Sequence, residues 1–225
     1  MSATRPADAA EAALAAAFET ADAGRRAQLL MEIAAGLQQD ARAPDHIAVA
    51  IGLYDHALDA CPAEDLLLRA RILARQGSAL QIVPGPGIDA LEAARGRYEA
   101  ALPDLRAGGR EAEIAEVEMN LGLVLQSLAG ASAARLTDAI AAYRRALRVF
   151  DAQRYPVEYA IVQSNLATAS LLLPDATPPS RGAPGANRAQ AQAYYEDAYR
   201  IFVAHGETER AALLAGAMAE LAAET

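Results

Sequence analysis

The chain has 225 residues, a net charge of −9, and 20 basic residues that are all arginine. The absence of lysine excludes Schiff-base chemistry and the phosphate-binding lysine of a P-loop. An acidic balance without a basic run argues against nucleic-acid binding.

Residues 1–7 read as a disordered start, and 8–225 as a single helical-repeat domain. The opening MSATRPADAAEAALAAAFET carries Glu11 and Glu19 where a signal peptide would be apolar. No apolar run approaches the roughly 20 residues of a membrane span. Both observations predict a cytoplasmic protein without membrane insertion. A first helix over 8–20 ends near Gly24, and helices then alternate in two kinds. The first kind carries Leu or Ile with small residues: QLLMEIAAGL (28–37), LLLRARILARQG (66–77), EIAEVEMNLGLVLQSL (113–128) and EYAIVQSNLATASLLL (158–173). Three connections interrupt the series: VPGPG (83–87), LAGASAARL (128–136) and LPDATPPSRGAPGANR (173–188). The last is too rich in Pro and Gly to be helical and predicts a flexible loop over 174–188. A final amphipathic helix, 209–224, follows. Its Leu213, Leu214 and Met218 are predicted to cover the apolar face of the preceding pair. Apolar spacing of three and four throughout predicts an all-α protein.

The second kind of helix repeats one pattern. AIGLYDHALDAC, ARGRYEAALPDL, AIAAYRRALRVF and AQAYYEDAYRIF centre on Tyr54, Tyr98, Tyr143 and Tyr195, which lie 44, 45 and 52 residues apart. Each tyrosine has alanine four before it (Ala50, Ala94, Ala139, Ala191) and alanine three after it (Ala57, Ala101, Ala146, Ala198). On a helix these residues share one face, so a neighbouring helix can approach beside the ring. A fixed period of this size is the mark of a stacked solenoid. The single cysteine, Cys61, falls where Phe150 and Phe202 fall in later units and predicts a buried thiol.

The pairs NLGLVLQSL…AIAAYRRALRVF and SNLATASLL…AQAYYEDAYRIF resemble the tetratricopeptide repeat. Leu121-Gly122, Leu166-Ala167 and Ile33-Ala34 match its first-helix signature. In the second unit either Arg69-Ala70 or Leu73-Ala74 could fill that role. RVFDAQRYPVEYAIVQSNLA is similar to the longer variant found in kinesin light chains and bacterial scaffold proteins. The resemblance spans about residues 25–225. It implies a right-handed superhelical array of antiparallel helix pairs whose first helices line a concave groove for peptides.

That lining would include Met31, Arg71, Arg75, Met119, Asn120, Leu123, Ser164, Asn165 and Thr168. Arg71 and Arg75 are one turn apart on one face. A guanidinium pair suits a peptide carboxylate, and equally suits Glu or Asp of neighbouring helices. Asn120 and Asn165 occupy matched places, and an asparagine amide can bond the backbone of an extended ligand or a neighbouring helix. His46, His56 and His205 form no ligand spacing, and no catalytic motif is present, so neither metal, cofactor nor catalysis is expected. The resulting expectation is a scaffold or adaptor that holds a segment of another protein. The alternative is a regulatory sensor for a small molecule or signal peptide.

Overall fold

The computed structural model describes residues 14–223, apart from 16, 18, 40–43, 84, 86, 131 and 174–184. The helices are α1 (Ala23–Gln39), α2 (Pro44–Ala60), α3 (Leu66–Gln81), α4 (Ile88–Gly108), α5 (Glu111–Ser127), α6 (Ala133–Ala146), α7 (Pro156–Leu172), α8 (Ala186–Ala204) and α9 (Thr208–Ala223). Among the described residues there is no strand. The chain falls into two compact units, Met1–Val117 and Glu118–Thr225, whose boundary lies inside α5. The expected loose start at 1–7, most of the helix at 8–20, and 174–184 of the expected loop lie outside the described residues. The remainder of that loop is shorter than expected, because α8 already begins at Ala186.

Local chemistry accounts for the helix ends. Asp65 caps α3 by accepting from the Leu68 N–H at 3.0 Å, and Pro156 sits in the first turn of α7, where its missing N–H costs nothing. At the start of α5 the Glu113 carboxylate accepts from the Arg110 N–H at 2.9 Å, half of a capping box. Arginines serve the opposite ends. Arg26 donates to the Thr20 carbonyl at 2.7 Å, Arg135 to that of Leu128 at 3.0 Å, and Arg188 to that of Leu221. α4 runs on to Gly108 through Pro103, forgoing the backbone bond that proline cannot donate.

In the first unit α1 packs on α2 and α3, and α3 packs on α2 and α4. In the second, α7 packs on α6 and α8, and α8 on α9. The repeated tyrosine stripe is the core of each pair. All eight flanking alanines are fully buried, as are Tyr54, Tyr98 and Tyr143, while Tyr195 keeps 5% of its surface. Seven residues after each tyrosine stand Cys61, Leu105, Phe150 and Phe202, all buried. Cys61 is therefore a core thiol as expected, and burial, with Asp65 nearby, pushes it above its ordinary pKa.

Glycine settles the register of the second pair. A Cβ on Gly77 would lie 2.8 Å from the Tyr98 ring, and one on Gly122 would lie 2.5 Å from the Tyr143 ring. The small residue that admits the second ring is thus Gly77, after Gln76, and neither Ala70 nor Ala74. Matched positions are Ala34, Gly77, Gly122 and Ala167, each buried.

α9 does cover the last pair. Ala211, Leu214 and Leu221 are buried together with Ala160, Ala167, Tyr195 and Phe202, and Met218 packs against them. Leu213 was expected on this stripe but is 74% exposed. The buried spacing of three, then seven, then ten residues from Ala211 passes through 214, 218 and 221, and leaves position 213 on the opposite side.

Candidate partner-binding faces

The first helices of the pairs carry the residues expected to meet a partner, and each unit is considered by itself. In the first unit Met31 sits in the core with Leu30, Ala34 and Leu53, so little of it faces solvent. Arg71 forks onto Glu113, with Nε at 3.0 Å from Oε1 and Nη2 at 3.2 Å from Oε2. Burial raises the pKa of the Glu113 carboxyl, but the Arg110 N–H and the guanidinium groups of Arg71 and Arg110 outweigh it and bring the value down to about 2. Arg71 is therefore a brace between α3 and the start of α5, the second of the two roles its pattern allowed. Arg75, one turn on, is exposed and makes no ion pair among the described residues. Its charge acts instead on the nearby phenol of Tyr54.

In the second unit Met119, Asn120 and Asn165 are half-buried, and Leu123 is 39% exposed. The Ser164 hydroxyl donates to the Ile161 carbonyl at 2.8 Å. Thr168 bonds the Ser164 carbonyl at 3.1 Å and the Tyr195 hydroxyl at 2.9 Å. Ser164 and Thr168 therefore spend hydroxyl bonds on their own helix pair. With Gly77 as the reference, Arg75 takes the same register position as Asn120 and Asn165, two residues before the small one.

The structure adds residues that the pattern did not single out. Each buried phenol has a fixed polar partner on the first helix of its pair. Tyr54 donates to Gln38 at 3.1 Å, Tyr98 to Gln81 at 2.5 Å and Tyr143 to Gln126 at 2.9 Å. Each glutamine lies four residues after the small position, one turn along. In the fourth pair that place is Leu171, and Tyr195 turns to Thr168 instead. Burial pushes the Tyr54 phenol up to about 12, an effect Arg75 partly opposes. It raises Tyr98 and Tyr143 as well. The recurrence of Gln at this one offset was the available signal.

Glu118 was also missed. It is buried to 2%, with the Arg145 guanidinium at 2.8 Å. Its register equivalents are Leu30, Leu73 and Gln163. Gln163 is likewise buried and donates to Tyr159 at 2.6 Å, which donates to Asp197 at 3.0 Å. Buried charge and amide thus replace apolar side chains in the last two pairs; the Arg145 guanidinium offsets the charge of Glu118, and Tyr159 satisfies the Gln163 amine but not its buried Oε1.

No described helix is long and apolar enough to cross a membrane. No protein-family model matches the sequence, and no curated protein matches it.

Proposed function

We propose that this chain is a non-catalytic, cytoplasmic scaffold that holds an extended segment of another protein on the first helices of its pairs. The reading carries with it a tetratricopeptide-like, right-handed array of antiparallel pairs. One observation supports it most. The positions two before the small residue in pairs two to four are polar and solvent-accessible: Arg75, Asn120 and Asn165. Helix faces that are already folded receive an extended chain at low entropic cost on the protein's side. Arg75 supplies a cation for an acidic residue of the partner in the first unit, and Leu123 supplies apolar contact in the second.

Selection of random peptides displayed on phage tests the proposal. Enriched peptides whose binding falls about tenfold in Asn165→Ala and in Arg75→Ala, with melting unchanged, bear it out. A tenfold loss corresponds to about 1.4 kcal/mol, near the upper end of the roughly 0.5–1.5 kcal/mol of one ordinary hydrogen bond. Failure to enrich any peptide rejects the scaffold reading and leaves a small-molecule sensor. Because the chain has no lysine, contacts are mapped with a photo-reactive residue at Leu123 rather than with amine-reactive reagents.

A further inference from the structure

The middle of α9 is apolar on every side. Ala211–Ala219 run for nine residues without a polar side chain, about two and a half turns of the helix. A helix that is apolar all round belongs in an interior, yet only one side of α9 is covered. Ala211, Leu214 and Leu221 are buried against the fourth pair, whereas Ala212, Leu213, Ala215, Gly216 and Ala219 are exposed. Leu213, at 74%, is the most exposed large hydrophobic side chain among the described residues. Charge returns only at the two ends of the run, with Glu209 and Arg210 before it and Glu220 after it.

The exposed side has a centre and two unlike flanks. Successive residues turn about 100° round the helix. Gly216 therefore lies in the middle, with Glu209 close to it. Leu213, Glu220 and, farther round, Arg210 lie on one flank, and Ala212, Ala215 and Ala219 on the other. A two-fold axis at Gly216, perpendicular to α9, brings a second α9 antiparallel and sets each flank against its like. Leu213 of each copy then reaches over Gly216 of the other, where a missing side chain makes room, and alanines meet alanines across the opposite flank. Arg210 falls opposite Ala222 of the mate, two residues from its Glu220, or about 3 Å along the axis. Opposite charges thus meet at both ends. Arg210 pairs with Glu207 of its own chain and has donors left over, and Glu220 makes no ion pair among the described residues. A parallel mate would instead set Glu209 against Glu209 and Glu220 against Glu220, which like charges disfavour.

We propose that the exposed face of α9 docks on the same face of a second copy of this chain, antiparallel about Gly216. Leu213 is the apolar anchor, and the Arg210–Glu220 pairs fix the direction. The contact is one helix wide, which is small for a stable interface, so the dimer is reversible and depends on protein concentration.

Sedimentation velocity of the full chain over a range of concentrations is the test. The mass is expected to rise toward that of two chains as concentration increases. Leu213→Glu changes an exposed position and leaves the buried side of α9 untouched. It is expected to raise the midpoint concentration at least about tenfold, because it buries an unpaired charge in the contact, with helix content by circular dichroism unchanged. Arg210→Glu alone and Glu220→Arg alone are each expected to weaken the dimer, and the two together to restore it. Gly216→Cys, where an added side chain meets nothing within 4 Å, is expected to link the two copies on mild oxidation; the native Cys61 is buried and does not compete. Thr208→Cys is expected to stay unlinked, since its two copies lie about 24 Å apart along the axis. A chain that remains monomeric up to its solubility limit overturns the proposal and leaves the face to a different protein. A dimer that persists in Leu213→Glu uses another surface and overturns it too. Failure of the exchanged charge pair to restore association, or linkage through Thr208→Cys, overturns the antiparallel arrangement.

Discussion

Gly122 allows the sharpest test of the packing. A methyl group there would lie 2.5, 2.7 and 3.0 Å from three carbons of the Tyr143 ring, where carbon atoms rest at about 3.5–4.0 Å. The ring is fully buried and its hydroxyl is tied to Gln126 at 2.9 Å, so it has little room to retreat. Replacing glycine by alanine inside a helix gains roughly 0.8–1.0 kcal/mol in propensity. Overpacking a tight core costs about 1–3 kcal/mol, sometimes more. With three ring atoms overlapped and no free path, the upper end applies, and Gly122→Ala loses roughly 2 kcal/mol net. Gly216 is the internal control. It lies mid-helix in α9 of the same unit, exposed, with nothing within 4 Å of an added Cβ. Gly216→Ala gains the propensity term alone, roughly 0.8–1.0 kcal/mol. The two variants should differ by roughly 3 kcal/mol, about two orders of magnitude in the unfolding constant. Urea unfolding followed by circular dichroism measures both. If Gly122→Ala proves as stable as Gly216→Ala, the ring does not occupy the groove described and the assigned register fails.

Three other outcomes follow from the same geometry. Removing 208–225 uncovers Ala167, Tyr195 and Phe202; the shortened chain should aggregate or melt clearly lower, and an unchanged soluble product would refute the covering role of α9. Glu113 has a depressed folded pKa, so its stabilisation is complete above its ordinary value of 4.5 and fades as pH falls from there toward about 2. Glu113→Gln should lose roughly 1–2 kcal/mol at neutral pH, as cap and braced pair are lost together, and should flatten the acid limb between pH 4.5 and 2. Tyr54 behaves oppositely. Its folded pKa of about 12 lies above the ordinary 10.0, so its contribution is intact below pH 10 and disappears between 10 and 12. The share of tyrosinate absorbance owed to the buried rings, Tyr54 among them, should therefore rise late and together with unfolding, whereas early, gradual ionisation of every tyrosine would contradict the burial.

The tyrosine helices were legible because one face repeats four times, and a repeated face has a single explanation in packing. The second pair's first helix was not, since Ala70, Ala74 and Gly77 are all small and only the position of the Tyr98 ring distinguishes them. Leu213 and Leu214 are chemically equal neighbours, and 100° of helix rotation separates burial from exposure. Arg71 was legible as a charged residue on a defined face but not as a brace. Glu113 lies 42 residues away, and sequence spacing carries no distance across helices. Glu118 and Arg145 each occur once in their register positions, so no recurrence marks them as a pair.

The arginines at helix ends bear on how this protein meets its chemical surroundings. Arg26, Arg135 and Arg188 close helix termini with guanidinium groups, which stay protonated across the whole range in which proteins remain folded. Acylating reagents and acyl-transfer enzymes act on amines, and none of these anchors is one. The ties that finish the helices are thus held by groups that neither base nor acetylation discharges.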